Sequence, residues 1–392
     1  MEMIVSRYQD MVLNITVDDS RNNKFLAVNV TDFSNNEAKA GSIYIGRIKN
    51  IVKNINAAFV EIADKELCFL QFKDEAQMKM YHNESEILVQ VIREKLKTKQ
   101  AAVTTDINLN GKYLVKNGKD GVSVSSKIKN VIKRNELISI LNEAADDVSG
   151  YIIRTNAVNA SKDELIAEYN RLEKQYNDII KKSEYSPCYT CIYSVPEDYI
   201  LAVRDSYDEN ITRIRTDDVD IYRKLYNYLS VYDKKKLEKL SLYDDASYPL
   251  SALYQIETKL LKAVGRRVWL DSGAYLVIDV CEACTVIDVN TGKAVKKSGN
   301  KDKHFFDINV EAAKECFEQI RLRNISGVII IDFVDMISKE YNDKLMKYLN
   351  EFAAIDNIKT SVVDKTALGF VEVTRKKVKK PLYSYIEQNE LN

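Results

Sequence analysis

Between residues 41 and 72 the chain reads GSIYIGRIKNIVKNINAAFVEIADKELCFLQF, brief runs of alternating apolar and polar residues broken by Asn and Asp. A period of two interrupted by turn formers predicts short strands, and a series of them suits a small closed barrel. Strand-like runs also occupy residues 11–17 and 25–30 before it and 112–115 and 150–154 after it. The period then changes. Leu165, Tyr169, Leu172, Tyr176 and Ile179 recur every three or four residues behind a Ser161/Glu164 capping box, predicting an amphipathic helix over 161–182. Residues 199–203 read as a strand, followed by helical material to about residue 262. From 268 onward, strands at 275–280, 285–289 and 328–333 alternate with helices at 310–323 and 339–352, the pattern of a layered α/β domain.

At 392 residues the chain can bury two or three cores, and 45% apolar with 30% charged residues describes a globular protein. Lys plus Arg and Asp plus Glu are both 58, so any polyanion must be met by local patches such as 293–303 and 375–380. The start carries no basic leader with a long apolar core, and no stretch approaches the roughly 20 apolar residues of a membrane span. Six thinly spread cysteines read as reduced thiols, so a cytoplasmic location is expected.

With only His82 and His304 present, a mechanism built on paired imidazoles has little material, which turns attention to carboxylates. Asp288 lies near the end of the run CTVIDVN and Asp332 near the end of GVIIIDF, each setting a charge at the end of an otherwise buried strand. Such a charge is costly unless paired, and Mg²⁺, which takes one or two carboxylates plus waters, is a natural partner. Asp279 and Asp335 lie in similar contexts, and composition does not choose among the four. Phe59 and Phe69 alternate with aliphatics near Arg47, Lys49 and Lys53; rings among cations suit a single-strand binder, although composition alone favours an ordinary barrel core for both. Cys188/Cys191 and Cys281/Cys284 have zinc-ligand spacing, but CYTCIYSV reads as a strand, where residues three apart point to opposite faces, and CEAC suits a hairpin turn. Zinc is not expected.

Three stretches together, VIDVCEACTVIDVNTGK, NVEAAKECFEQIRLRNISGVIIIDFVDM and LGFVEVTRKK, resemble the catalytic half of the ribonuclease E/G family, and the resemblance extends over nearly the whole chain. It implies an α+β multidomain fold. In that fold an OB-type RNA-binding barrel (40–105) and a 5′-sensor region (106–193) are inserted in an RNase H-like subdomain (1–39 with 194–263). A DNase I-like catalytic subdomain (264–380) and a tail (381–392) follow. It further implies Mg²⁺-dependent cleavage of single-stranded RNA, in RNA processing or decay, to 5′-phosphate and 3′-hydroxyl ends. By similarity Asp288 and Asp332 hold the metal and Asn290 positions the attack. Phe59, Phe69 and Lys99 contact the strand. Gly111, Val115, Arg154 and Thr155 sense a 5′-monophosphate, with Lys359 where the family has arginine, which forfeits bidentate geometry. Where the family continues into a zinc-sharing cysteine pair and a dimerisation domain, this chain reads SYIEQNELN, so any homodimer is expected to form without the zinc link. The rival readings are a non-catalytic RNA-binding relative and, more weakly, a magnesium phosphodiesterase acting on DNA.

Overall fold

The structure, a computed structural model, describes residues 1–33, 38–63, 66–95, 100–144, 148–206, 211–245, 247–294 and 301–386. The chain is an α+β multidomain protein that divides into two compact units, Met1–Asp32 with Asp198–Asn392, and Phe33–Glu197.

In the Phe33–Glu197 unit, strands Ile43–Val52, Ala57–Glu61, Leu67–Gln71, Ala102–Thr104 and Glu86–Arg93 pair in that order. Ile43–Val52 then pairs with Glu86–Arg93, which closes a five-stranded barrel. The alternation explains its filling. Ala58, Val60, Cys68 and Leu70 point into a common core, while the intervening Phe59 and Phe69 remain half-exposed on the other face. The short strand Cys191–Tyr193 adds to the barrel's first strand. The strand expected across CYTCIYSV is therefore cut to three residues. Tyr189 adopts the left-handed region (φ +69°), where its hydroxyl donates to Glu61 (2.8 Å) and its ring lies 5.6 Å from the Arg47 guanidinium. A second sheet of Val122–Val124, Tyr151–Ile153, Leu114–Lys116 and Leu109–Asn110 packs with helices Val131–Asn142 and Lys162–Ser183. The longer helix begins at the expected capping box, with Ser161 and Glu164 each bonding the other's backbone N–H.

The other unit holds two sheets. One, in the order Leu240–Leu242, Arg213–Thr216, Glu2–Tyr8, Met11–Asp18, Lys24–Asp32, joins the chain's first strands to those after residue 212. Between them in sequence, residues 199–203 are not a strand: they lie in the helix Asp198–Asp205, whose buried Tyr199, Ile200, Val203 and Arg204 follow a helical spacing. The β-forming composition of YILAV is overridden by the face it buries.

The second sheet has the order Arg267–Trp269, Tyr275–Val280, Cys284–Asn290, Gly327–Asp332, Val371–Arg375, Thr360–Lys365. Alternate residues Leu276, Ile278, Ile287, Val289, Ile329, Ile331, Val371 and Val373 form one core with Ile308, Ala312, Ala313, Cys316, Phe317 and Ile320 of the helix Lys301–Leu322. Each such buried aliphatic contributes about 1.5–3 kcal/mol, so strand register and helix face are fixed together. The helix starts nine residues before the expected 310, because Phe305, Phe306 and Ile308 extend the apolar stripe through the polar KDKHFFD. Lys24 bonds Glu315 and Glu318 of this helix (both 2.7 Å), and Arg21 bonds Glu318 (3.0 Å), tying it to the first sheet. Among the described residues, no helix is long and apolar enough to cross a membrane.

Candidate active site: carboxylates paired across parallel strands

The strands carrying Asp288 and Asp332 are neighbours in the sheet and run parallel, joined by the helix Lys301–Leu322 as a βαβ crossover. Their register sets Ile287 opposite Ile331 and Asp288 opposite Asp332. Since Ile287 and Ile331 are wholly buried beneath the helix, the following residues must point to the opposite face. Two carboxylates therefore share one face at the carboxyl ends of adjacent parallel strands, the place where open α/β sheets bind ligands.

Asn290, two residues beyond Asp288 and on the same face, donates its Nδ2–H to Asp288 Oδ2 at 2.6 Å. Partial burial, with the negative charges of Asp288 and then Asp335, raises the pKa of Asp332 above the ordinary carboxylate range. Asp279 thus separates from the other candidates, while the charge of Asp335 acts on Asp332. Asp279 faces Arg266, whose Nη2 donates to its Oδ2 (2.7 Å), and that hydrogen bond holds its carboxyl below the usual range. Asp288 and Asp332 stand together, and among the described residues neither has an ion-pair partner.

That arrangement fits a small hard dication. Two convergent carboxylates leave most of an octahedral Mg²⁺ shell to water and phosphate oxygens, as this ion prefers. No cluster of three or more His, Cys, Asp or Glu ligands occurs among the described residues. Cys281 and Cys284 close the expected hairpin, with the Cys281 N–H donating to the Cys284 carbonyl (2.9 Å).

The anchor of Asp332 was not legible beforehand. Asn309, wholly buried on the crossover helix, donates through Nδ2 to the Val334 carbonyl (2.8 Å) and accepts from the Val334 N–H (3.0 Å). One amide clamps both backbone polar groups two residues past Asp332. Asp302, at the start of the same helix, accepts from the N–H groups of Ile337 and Ser338 (both 2.8 Å). An Asn within an apolar helical stripe was the available signal.

The remaining expected residues fall as follows. Phe59 and Phe69 are cross-strand partners with ring centroids 6.0 Å apart, edge to face, on the barrel's outer surface rather than in its core. Lys99 lies outside the described residues. Gly111, Arg154 and Thr155 are brought together: Arg154 Nη1 donates to the Gly111 carbonyl, its N–H donates to the Tyr113 carbonyl (2.7 Å), and Thr155 pairs with Ser125 (3.3 Å). Val115 pairs with Asn110 and Ile152 in the same sheet. Gly111 has no room for a side chain, because a Cβ there would lie 1.9 Å from Glu168 Oε1, the acceptor of the Tyr113 and Leu114 N–H groups. Lys359 belongs to the other unit, exposed just before the strand Thr360–Lys365.

Residues 108–378 match the model of the ribonuclease E/G family. This chain belongs to the ribonuclease E/G family. Ribonuclease G of Escherichia coli K12 is 32% identical over 361 residues, covering 87% of this chain and 73% of that protein. Ribonuclease G of Haemophilus influenzae is equally similar, 32% over 361 residues with the same coverage of 87% and 73%. Ribonuclease E of Synechocystis sp. PCC 6803 is 30% identical over 371 residues, covering 91% of this chain and 55% of that protein. The ribonuclease E/G match takes in Asp288, Asn290, Asn309 and Asp332, and so the whole of the paired-carboxylate site.

Proposed function

We propose that this chain is a Mg²⁺-dependent endoribonuclease that cuts single-stranded RNA, in processing or decay, to 5′-phosphate and 3′-hydroxyl ends. The observation that carries the reading is the register pairing of Asp288 with Asp332 on one face of parallel strands, beside Asn290. Asp288 and Asp332 would hold the metal, which when bound supplies charge stabilisation at the phosphate and lowers the pKa of an attacking water. Asn290 fixes the orientation of the Asp288 carboxylate through its hydrogen bond and presents its remaining amide groups to the substrate side. Asn309 holds the chain beyond Asp332, so that this carboxylate does not drift from its neighbour.

In this reading residues 40–105 form an OB-type barrel whose Phe59 and Phe69, with Lys99, contact RNA bases. Residues 106–193 form the 5′-sensing region with Gly111, Val115, Arg154 and Thr155, and Lys359 is the position that corresponds to the family's sensing arginine. Residues 1–39 with 194–263 are the RNase H-like part, residues 264–380 the DNase I-like catalytic part, and 381–392 a tail. Any homodimer would form without a zinc link.

The test is cleavage of 5′-monophosphorylated and 5′-triphosphorylated single-stranded RNA with Mg²⁺ or chelator, beside Asp288→Ala. Cleavage that disappears with chelator and with the substitution is expected. Cutting that persists in both overturns the mechanism, and RNA binding without cutting under all conditions identifies a non-catalytic relative. Equal rates on the two ends remove only the sensing assignment.

A further inference from the structure

The face that carries Asp288 and Asn290 continues two strands outward into an aromatic cluster. Tyr275 is the register partner of Asn290, and Trp269 is the register partner of Tyr275. Their neighbours Leu276 and Val268 turn inward to the core, so both rings leave the sheet on the side of the carboxylates. The ring centroids stand 5.1 Å apart at an interplanar angle of 55°. The Arg267 guanidinium lies 4.8 Å from the Tyr275 centroid and 5.8 Å from that of Trp269. Gly292, at φ +50°, backs the Tyr275 ring; a Cβ there would come within 3.3 Å of it and 2.6 Å of the Gly273 carbonyl.

Trp269 is 61% exposed, and burying its indole would release a large apolar area from water. Its position decides what covers it. Two strand spacings, about 10 Å, separate it from Asn290, within reach of a base one or two nucleotides from a phosphate held at the carboxylates. Arg267 adds a positive charge where a phosphodiester strand would run.

We propose that Trp269 and Tyr275, steadied by Arg267, form a base-stacking subsite that holds a nucleobase of the single strand flanking the cut. The inference rests on the nucleolytic reading above and adds a second base contact, on the catalytic sheet itself. Stacking is tolerant of base identity, since every base offers a π-face, so the subsite orders the strand without selecting sequence.

Trp269 is the only tryptophan in the chain, and its emission reports the contact directly. A single-stranded 10-mer RNA is titrated into the full chain in chelator, reading tryptophan emission, with anisotropy of a red-labelled copy as an independent measure of binding. Emission is expected to change with the same midpoint as the anisotropy, and an abasic oligomer of equal length to leave it unchanged. Trp269→Leu should weaken binding roughly tenfold or more, whereas Trp269→Phe, which keeps a ring, should retain most of the affinity. Anisotropy that saturates while emission stays flat and Trp269→Leu binds normally overturns the subsite and leaves the nuclease standing. Absence of binding by anisotropy overturns the nucleolytic reading and the subsite together. If Trp269→Leu instead converts a dimer to a monomer in sedimentation, the ring is covered by a second copy and the proposal fails. Should that variant not fold, wild-type emission and Trp269→Phe still decide.

Discussion

Replacing Asp332 by Asn should make the metal-free protein more stable while abolishing cleavage. Register partners on adjacent strands lie about 4.8 Å apart at Cα, and the Asp288 and Asp332 side chains leave the same face. Two like charges at roughly 5 Å repel by about 0.8 kcal/mol at the dielectric of water and about 3 kcal/mol at an effective value of 20. With Asp288 exposed and Asp332 only partly buried, about 1 kcal/mol is the reasonable expectation. For a unit of this size that corresponds to a rise in Tm of about 2–4 °C in chelator. The sign follows from the raised Asp332 pKa. Its carboxyl binds a proton more tightly when folded than when unfolded, so the unfavourable contribution is full above the folded value. It fades as pH falls through that value toward the ordinary carboxylate pKa, about 3.9. The advantage of Asp332→Asn should therefore be complete at pH 7.5 and shrink toward pH 4. Mg²⁺ at ten times its Kd should stabilise the wild type by about 1.4 kcal/mol and the variant by far less. Calorimetry in chelator and in Mg²⁺ reads both effects. A variant that melts below wild type in chelator, or that keeps the full Mg²⁺ shift, would refute the claim that these two carboxylates repel each other and share the ion.

Two other substitutions probe the surroundings. Asn309→Ala leaves both backbone polar groups of Val334 without their partner, at a cost of about 1–3 kcal/mol. Its kcat should fall more than KM rises, because the Asp332 strand end is loosened rather than a substrate contact removed; steady-state kinetics on a stably folded preparation shows whether that split holds. Glu318 is mostly buried, which opposes ionisation, yet its hydrogen bonds and charge pairing with Arg21 and Lys24 hold its carboxyl below the usual range. Its stabilising contribution is present above the unfolded pKa, about 4.3, and lost as pH falls through the lower folded value. Glu318→Gln should thus cost about 1–3 kcal/mol at neutral pH and progressively less under acid, measured by urea unfolding at pH 7 and pH 3.5; an undiminished cost at the lower pH would show that packing, not charge, is lost.

Local pattern revealed those parts of the molecule whose shape is decided locally. The period-two run from residue 41 produced a barrel because alternate side chains had to fill one interior, and the Ser161 capping box marked its helix start to the residue. Where several elements compete for one segment, the same reasoning failed. YILAV has strand composition, but the face it buries demands a helical spacing, and Tyr189 leaves the extended region to reach Glu61 and Arg47. The candidate site divides along the same line. Two aspartates ending apolar runs were visible as residues, but their convergence depends on a crossover helix returning the chain beside itself in one register. No feature within CTVIDVN or GVIIID specifies that register. Nor does Asp279 differ locally from Asp288; what separates them is Arg266, a partner reached through the strand pairing of residues 266–280. Burial then links the two scales. The core beneath the sheet fixes Ile287 and Ile331 on one side, and with the pleat alternating, the same apolar contacts force both carboxylates to the other. The packing that stabilises this sheet is thus what holds two mutually repelling groups in place, so a one-residue slip of either strand would lose the core and the site at once.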